Sequence, residues 1–214
     1  APSPSTLAQM FLYTCVRGVV YSAPEPPPMR ILGIDTGLAE TGYGIIDAAG
    51  GACHVLEAGV ISTAADADLT IRLQRIHEVV SALLDEFTVD RMVVEDLYAE
   101  YPHPRTAIMM GHARGVVILA AAQRAVVVQS YPASLVKKSL TGNGRASKDQ
   151  VRRMVMRVLK LTEAPSPDHI SDALALAICH AAPTRTRAGM RARSGRTMAP
   201  AVAEAIARAR GERP

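Results

Sequence analysis

Residues 30–47 read Arg-Ile-Leu-Gly-Ile-Asp-Thr-Gly-Leu-Ala-Glu-Thr-Gly-Tyr-Gly-Ile-Ile-Asp. Ile31, Leu32 and Ile34 make the continuous apolar run of a buried strand, and Asp35 closes it. Glycines at 37, 42 and 44 then predict a sharp turn and a return as a second strand. A carboxylate held at a strand end beside a glycine turn suits two chemistries. It can bind a divalent cation, or it can approach a nucleotide phosphate through a cation or a water. An Asp in this position also commonly bonds its own turn, so the rest of the chain has to discriminate.

The 214 residues suffice for one packed domain with tails, and 49% hydrophobic with 21% charged residues is an ordinary globular balance. The net charge of +4 is unevenly spread, because residues 183–214 carry eight arginines against two glutamates while the core is mildly acidic. Cys15, Cys53 and Cys179 share no paired spacing of the zinc or disulfide kind. A reduced, cytoplasmic setting is the expectation. The longest apolar run, Gly115 to Ala122, falls far short of the roughly 18 residues that a membrane span needs, and no secretory signal is recognisable in the apolar stretch from Met10 to Val16.

Three segments are expected. Residues 1–28 end in Pro-Glu-Pro-Pro-Pro and read as a disordered extension, 29–182 as the folded domain, and 183–214 as a basic, mostly disordered tail. Within the domain, His54 to Ile61 predicts a third strand and completes an antiparallel meander. Leu69, Leu73, Ile76, Val80, Leu83, Leu84 and Phe87 recur at helical spacing. Met92, Val93 and Val94 form a short strand ending on Glu95, parallel to the first because a helix separates them. A small-residue helix over about 106–124 follows, with Gly111 and Gly115 one turn apart. They suit either close approach of two subunits or tight seating on the sheet. Val126 to Val128 make a fifth strand, and Pro132 suits the first turn of a short helix. Ser147 and Gln150 have the spacing of a capping box, and Ser166 and Pro167 open a last helix from Asp168 to about Ala181.

Three places now put acids at the ends of buried elements: Asp35, Glu95, and the opening of the last helix with Asp168, His169 and Asp172. If the first and fourth strands are parallel neighbours, Asp35 and Glu95 lie side by side. Helical spacing lets Asp172 act with His169 or with Asp168. Crowded carboxylates repel unless cations neutralise them, and hard oxygen donors favour magnesium or manganese. Two such ions about 4 Å apart would clamp a phosphodiester.

Gly-Ile-Asp-Thr-Gly with Thr-Gly-Tyr-Gly, Val-Val-Glu-Asp-Leu-Tyr, Gly-His-Ala-Arg-Gly, Val-Lys-Lys with Gly-Asn-Gly, Ser-Lys-Asp-Gln-Val and Asp-His-Ile-Ser-Asp-Ala-Leu-Ala together resemble the bacterial RuvC family of crossover junction endodeoxyribonucleases, over about Met29 to Ala181. The resemblance implies an RNase H-like α/β fold, built here on a five-stranded mixed sheet of three antiparallel and two parallel strands. It implies a homodimer that resolves Holliday junctions by paired nicks, in partnership with RuvA and RuvB. Onto its four metal-site positions fall Asp35, Glu95, His169 and Asp172, with Asp168 beside the third, for two ions of Mg2+ or Mn2+ per subunit. Lys137 and Lys148 match DNA-facing lysines, Arg145, Arg152 and Arg153 extend the same basic patch, and Tyr98 matches an aromatic that stacks on a base.

Two other classes share part of this pattern. Actin-like sugar kinases and chaperone ATPases also open with Gly-Ile-Asp-x-Gly, but they need two such domains to close over ATP, more than 214 residues supply. A non-catalytic junction-binding module would not need all four metal-site positions filled, as they are here.

Overall fold

The computed structural model describes residues 27–97 and 104–182, so residues 1–26 of the extension predicted over 1–28, the tail at 183–214 and Tyr98 lie outside them. The chain runs β1 (Met29–Asp35), β2 (Glu40–Ala49), β3 (Ala52–Ser62), α1 (Leu69–Phe87), β4 (Arg91–Glu95), α2 (Pro104–Gln123), β5 (Val127–Tyr131), α3 (Ala133–Thr141), α4 (Lys148–Leu159) and α5 (Asp168–Ala181). One five-stranded sheet has the order β3-β2-β1-β4-β5. The first three strands form the antiparallel meander, and β4 and β5 run parallel to β1.

Alternation along β1 decides what each face covers. Leu32 and Ile34 point into a core shared with Ile45, Met92 and Val94 and with α1 and α2, whose contributions include Ile76, Val80, Ala113 and Val117. Ile31 points the other way, into a core with Ile46, Val93 and the helices α3, α4 and α5. Gly33 and Asp35 share the parity of Ile31, and Glu95 shares that of Val93. Both acids therefore rise on the α5 side of the sheet.

α5 lies directly on that face because glycine clears the way. A methyl group on Gly33 would collide with the carbonyl oxygen of Ala173, and one on Gly42 with that of His169. The prediction that Gly42 and Gly44 belong to the turn is corrected here. They sit inside β2, opposite Asp35 and Gly33, and only Gly37 serves the turn. Ser147 and Gln150 make both bonds of the predicted capping box on α4. α5 has Pro167 at its cap position without any side-chain cap, and Asp168 supplies the negative charge in its first turn.

Gly111 and Gly115 lie on the outward face of α2 with open space where side chains would be. Tight seating on the sheet is thereby excluded as their purpose. Among the described residues no helix is long and apolar enough to cross a membrane.

Candidate active site

β1 and β4 end together. Ile34 pairs with Val94 in the parallel ladder, so Asp35 and Glu95 follow as neighbours at the sheet's edge. α5 crosses above them with His169 and Asp172 in its first turns. His169 Nδ1 and Asp35 Oδ2 share a hydrogen bond of 2.7 Å. The other ring nitrogen, Nε2, stands 3.6 Å from Glu40 Oε2. Asp168 turns away, with a mostly exposed carboxylate 3.6 Å from Arg152. Of the two candidates at the helix start, His169 is therefore the one that meets Asp35.

The electrostatics are those of crowded acids. Burial, then the charges of Asp35 and Asp172, push the Glu95 carboxyl up to about 7, against the opposing pull of Lys137 and Lys148. Burial likewise raises Asp35, countered first by its bond from His169. Lys148 Nζ lies 3.3 Å from Asp172 Oδ2, and that carboxylate holds the lysine above its usual range. Glu95, Lys137, Lys148 and Asp172 line one cleft of about 280 Å³, floored by Val136 and Val151.

The donors present fit a divalent metal site in kind. Three carboxylates and an imidazole suit magnesium or manganese, and the raised Glu95 and Asp35 carboxyls mark a place where added positive charge is favourable. As the side chains stand, no group of three or more His, Cys, Asp and Glu among the described residues is set to hold an ion. His169 and Lys148 each sit against one of the acids instead.

The other predicted basic residues divide. Arg152 is bonded to Asp149 and also reaches Asp168, and Arg153 lies 3.5 Å from Asp149. The Arg145 amide donates to Asn143 Oδ1 within the turn between α3 and α4, and the residue is exposed. Arg114 was not foreseen. Its Nε donates to the carbonyl of Glu95 at 3.1 Å, its Nη2 to Ser130 Oγ at 2.5 Å, and it lies 3.7 Å from Asp96. It thus pins the end of β4 to α2 and β5. The motif Gly-His-Ala-Arg-Gly was visible, but nothing in its spacing says where the guanidinium points. Glu40 was missed as well, because it is the residue from which β2 starts.

A family model described as crossover junction endodeoxyribonuclease RuvC matches residues 31–180. A protein of that description from Rhodopirellula baltica is 46% identical over 149 residues, covering 70% of this chain and 84% of its own. Another from Alkaliphilus oremlandii is 42% identical over 153 residues, 72% of this chain and 93% of its own. Among solved structures, Thermus thermophilus RuvC in complex with a Holliday junction substrate superposes with a TM-score of 0.70 at 35% identity, over 75% of this chain and 96% of that one. The yeast mitochondrial Holliday junction resolvase Ydc2 superposes with a TM-score of 0.53 at 12% identity, over 78% of this chain and 83% of that one, a likeness of fold alone.

Proposed function

The chain belongs to the RuvC family of crossover junction endodeoxyribonucleases, and from that premise we propose how its own residues cut branched DNA. It is an endonuclease of RNase H-like fold that resolves Holliday junctions in recombination and repair. In our reading Asp35, Glu95, His169 and Asp172 are the catalytic set and hold two divalent ions, Mg2+ or Mn2+. Bound there, such ions supply an activated water and neutralise charge on the attacked phosphate and the leaving oxygen.

What supports the assignment above all is that Asp35 and Glu95 end adjacent parallel strands on the face that α5 crosses with His169 and Asp172. Asp35 sits deepest, held by His169, and orients the rest. Arg114 keeps Glu95 at the cleft by fastening its carbonyl. Lys137 and Lys148 line the same cleft and draw in the phosphate. Lys148 leaves Asp172 for the phosphate as the substrate enters. Arg145, Arg152 and Arg153 extend the basic surface, and Tyr98 stacks on a base freed at the crossover.

Paired nicks need two such sites, and the outward face of α2 offers the surface for a homodimer. Ile108, Gly111, Gly115 and Leu119 form one stripe, with Ile108 56% and Leu119 50% exposed. RuvA and RuvB are the partners this reading supplies, and the cytoplasm its compartment. A junction-cleavage assay with and without magnesium or manganese tests the function. Absence of metal-dependent cutting of branched over linear DNA would overturn it.

A further inference from the structure

A second groove opens beside His169. It measures about 690 Å³ and is bounded by the β1–β2 turn, the end of β3 and the first turns of α1 and α2. Glu40 and His169 are among its lining residues, and His169 bonds Asp35, so the groove adjoins the acids of the proposed site.

The groove is rich in groups that bind anions. Arg72 enters from α1 and Arg105 from α2, with the hydroxyls of Thr36, Ser62 and Thr106 around them. Neither arginine belongs to an ion pair among the described residues, where the lysine and arginine pairs take up Arg30, Arg114, Arg124, Lys148, Arg152 and Arg153. Arg72 is also pre-positioned. Its Nε donates to Thr63 Oγ1 at 2.9 Å, that hydroxyl donates to the Leu38 carbonyl at 2.6 Å, and the Thr63 amide donates to Ala39 at 2.9 Å. The rest of the guanidinium fork is free to meet a planar anion without losing further side-chain freedom. Met109 and Met110 add an adaptable apolar surface of the kind that lies against sugars and bases.

A DNA strand presented to Asp35 and Glu95 has to continue on both sides of the attacked phosphate. Lys137 and Lys148 line the cleft beside Glu95 and Asp172, and this groove, lined by His169 and Glu40, shares no lining residue with that cleft. We propose that the groove between the β1–β2 turn and the starts of α1 and α2 binds the sugar-phosphate backbone of the cleaved strand on the side opposite Lys137 and Lys148, with Arg72 and Arg105 as its phosphate contacts. The proposal rests on the junction-cleaving function above and adds a subsite to it.

The test uses the full chain, carrying Asp35→Asn so that DNA stays intact, and a synthetic Holliday junction in which single phosphates are replaced by uncharged methylphosphonates. Arg105→Ala is the deciding variant because Arg105 is exposed and makes no bond within the described fold. It should weaken junction binding about fivefold to tenfold at 0.1 M salt and flatten the slope of log affinity against log salt by about 0.9. Arg72→Gln should do the same, and Arg72→Lys should keep the slope. One methylphosphonate position should weaken binding by the parent but have no further effect on Arg105→Ala. If Lys137→Ala flattens the slope while Arg105→Ala leaves both slope and interference pattern unchanged, the groove is not a strand site. If the parent itself shows no preference for the junction over linear duplex, the functional reading has failed instead.

Discussion

Glu95→Gln should stabilise the metal-free protein at alkaline pH. Its carboxyl lies among Asp35, Asp172 and burial, which lift it from an ordinary 4.5 to about 7. At about 1.4 kcal/mol for each tenfold, the ionised form is disfavoured by at most about 3 kcal/mol, and partial exposure of the side chain reduces this to about 2 kcal/mol. The sign follows from proton counting. Between 4.5 and about 7 the folded chain holds a proton that the unfolded chain has released, so stability falls as pH rises through that window. Urea unfolding of chelator-treated protein near pH 5 and pH 8 measures this. Wild type should lose about 2 kcal/mol more than Glu95→Gln over that interval, equivalent to about 4 to 8 °C in melting temperature for a domain of this size. Manganese should restore much of the wild-type loss and little of the variant's. A Glu95→Gln protein no more stable than wild type at pH 8 would refute the crowding on which the metal-site argument stands.

Replacing Lys137 and Lys148 together with Ala should flatten the salt slope of junction affinity by about two, read from binding titrations at several salt concentrations. His169→Ala should lower single-turnover cleavage by about a hundredfold or more, whereas Asp168→Ala should cost less than about threefold, because His169 meets Asp35 and Asp168 faces Arg152. The reverse order would move the ligand to Asp168. Arg114→Ala should lower the cleavage rate about tenfold to a hundredfold with junction affinity within about twofold, the cost of leaving the Glu95 carbonyl without its charged donor. Arg114→Lys should not rescue it, since one ammonium cannot span Glu95 and Ser130 as the fork does.

The strand from Ile31 to Asp35 was legible because its run of apolar residues needs a sheet covered on both faces, and the cores around Ile31 and Leu32 show it has one. The capping box of α4 was equally plain, since Ser147 and Gln150 act within one turn. Signals of that kind are local. Gly42 and Gly44 were misread as turn residues because their purpose, clearance for His169 and Leu174 of α5, depends on a helix more than a hundred residues away. Helical periodicity likewise left Asp168 and His169 equivalent as partners for Asp172, and only the seating of α5 on Gly33 and Gly42 turns His169 toward Asp35. Arg114 stayed hidden for the same reason, as an arginine on a helix otherwise rich in small residues gives no sign of the strand end that it holds.

The most direct test of the catalytic assignment is single-turnover cleavage of a synthetic Holliday junction by wild type and Asp35→Asn, with magnesium or manganese supplied and then chelated. Wild type should make paired nicks that vanish with chelation. Asp35→Asn should bind the junction at least as well, because one repelling charge has gone, yet cut at least about a thousandfold more slowly. Cleavage by Asp35→Asn within tenfold of wild type, or wild-type nicking that survives complete chelation, would contradict the assignment of Asp35 as the acid on which the site is built.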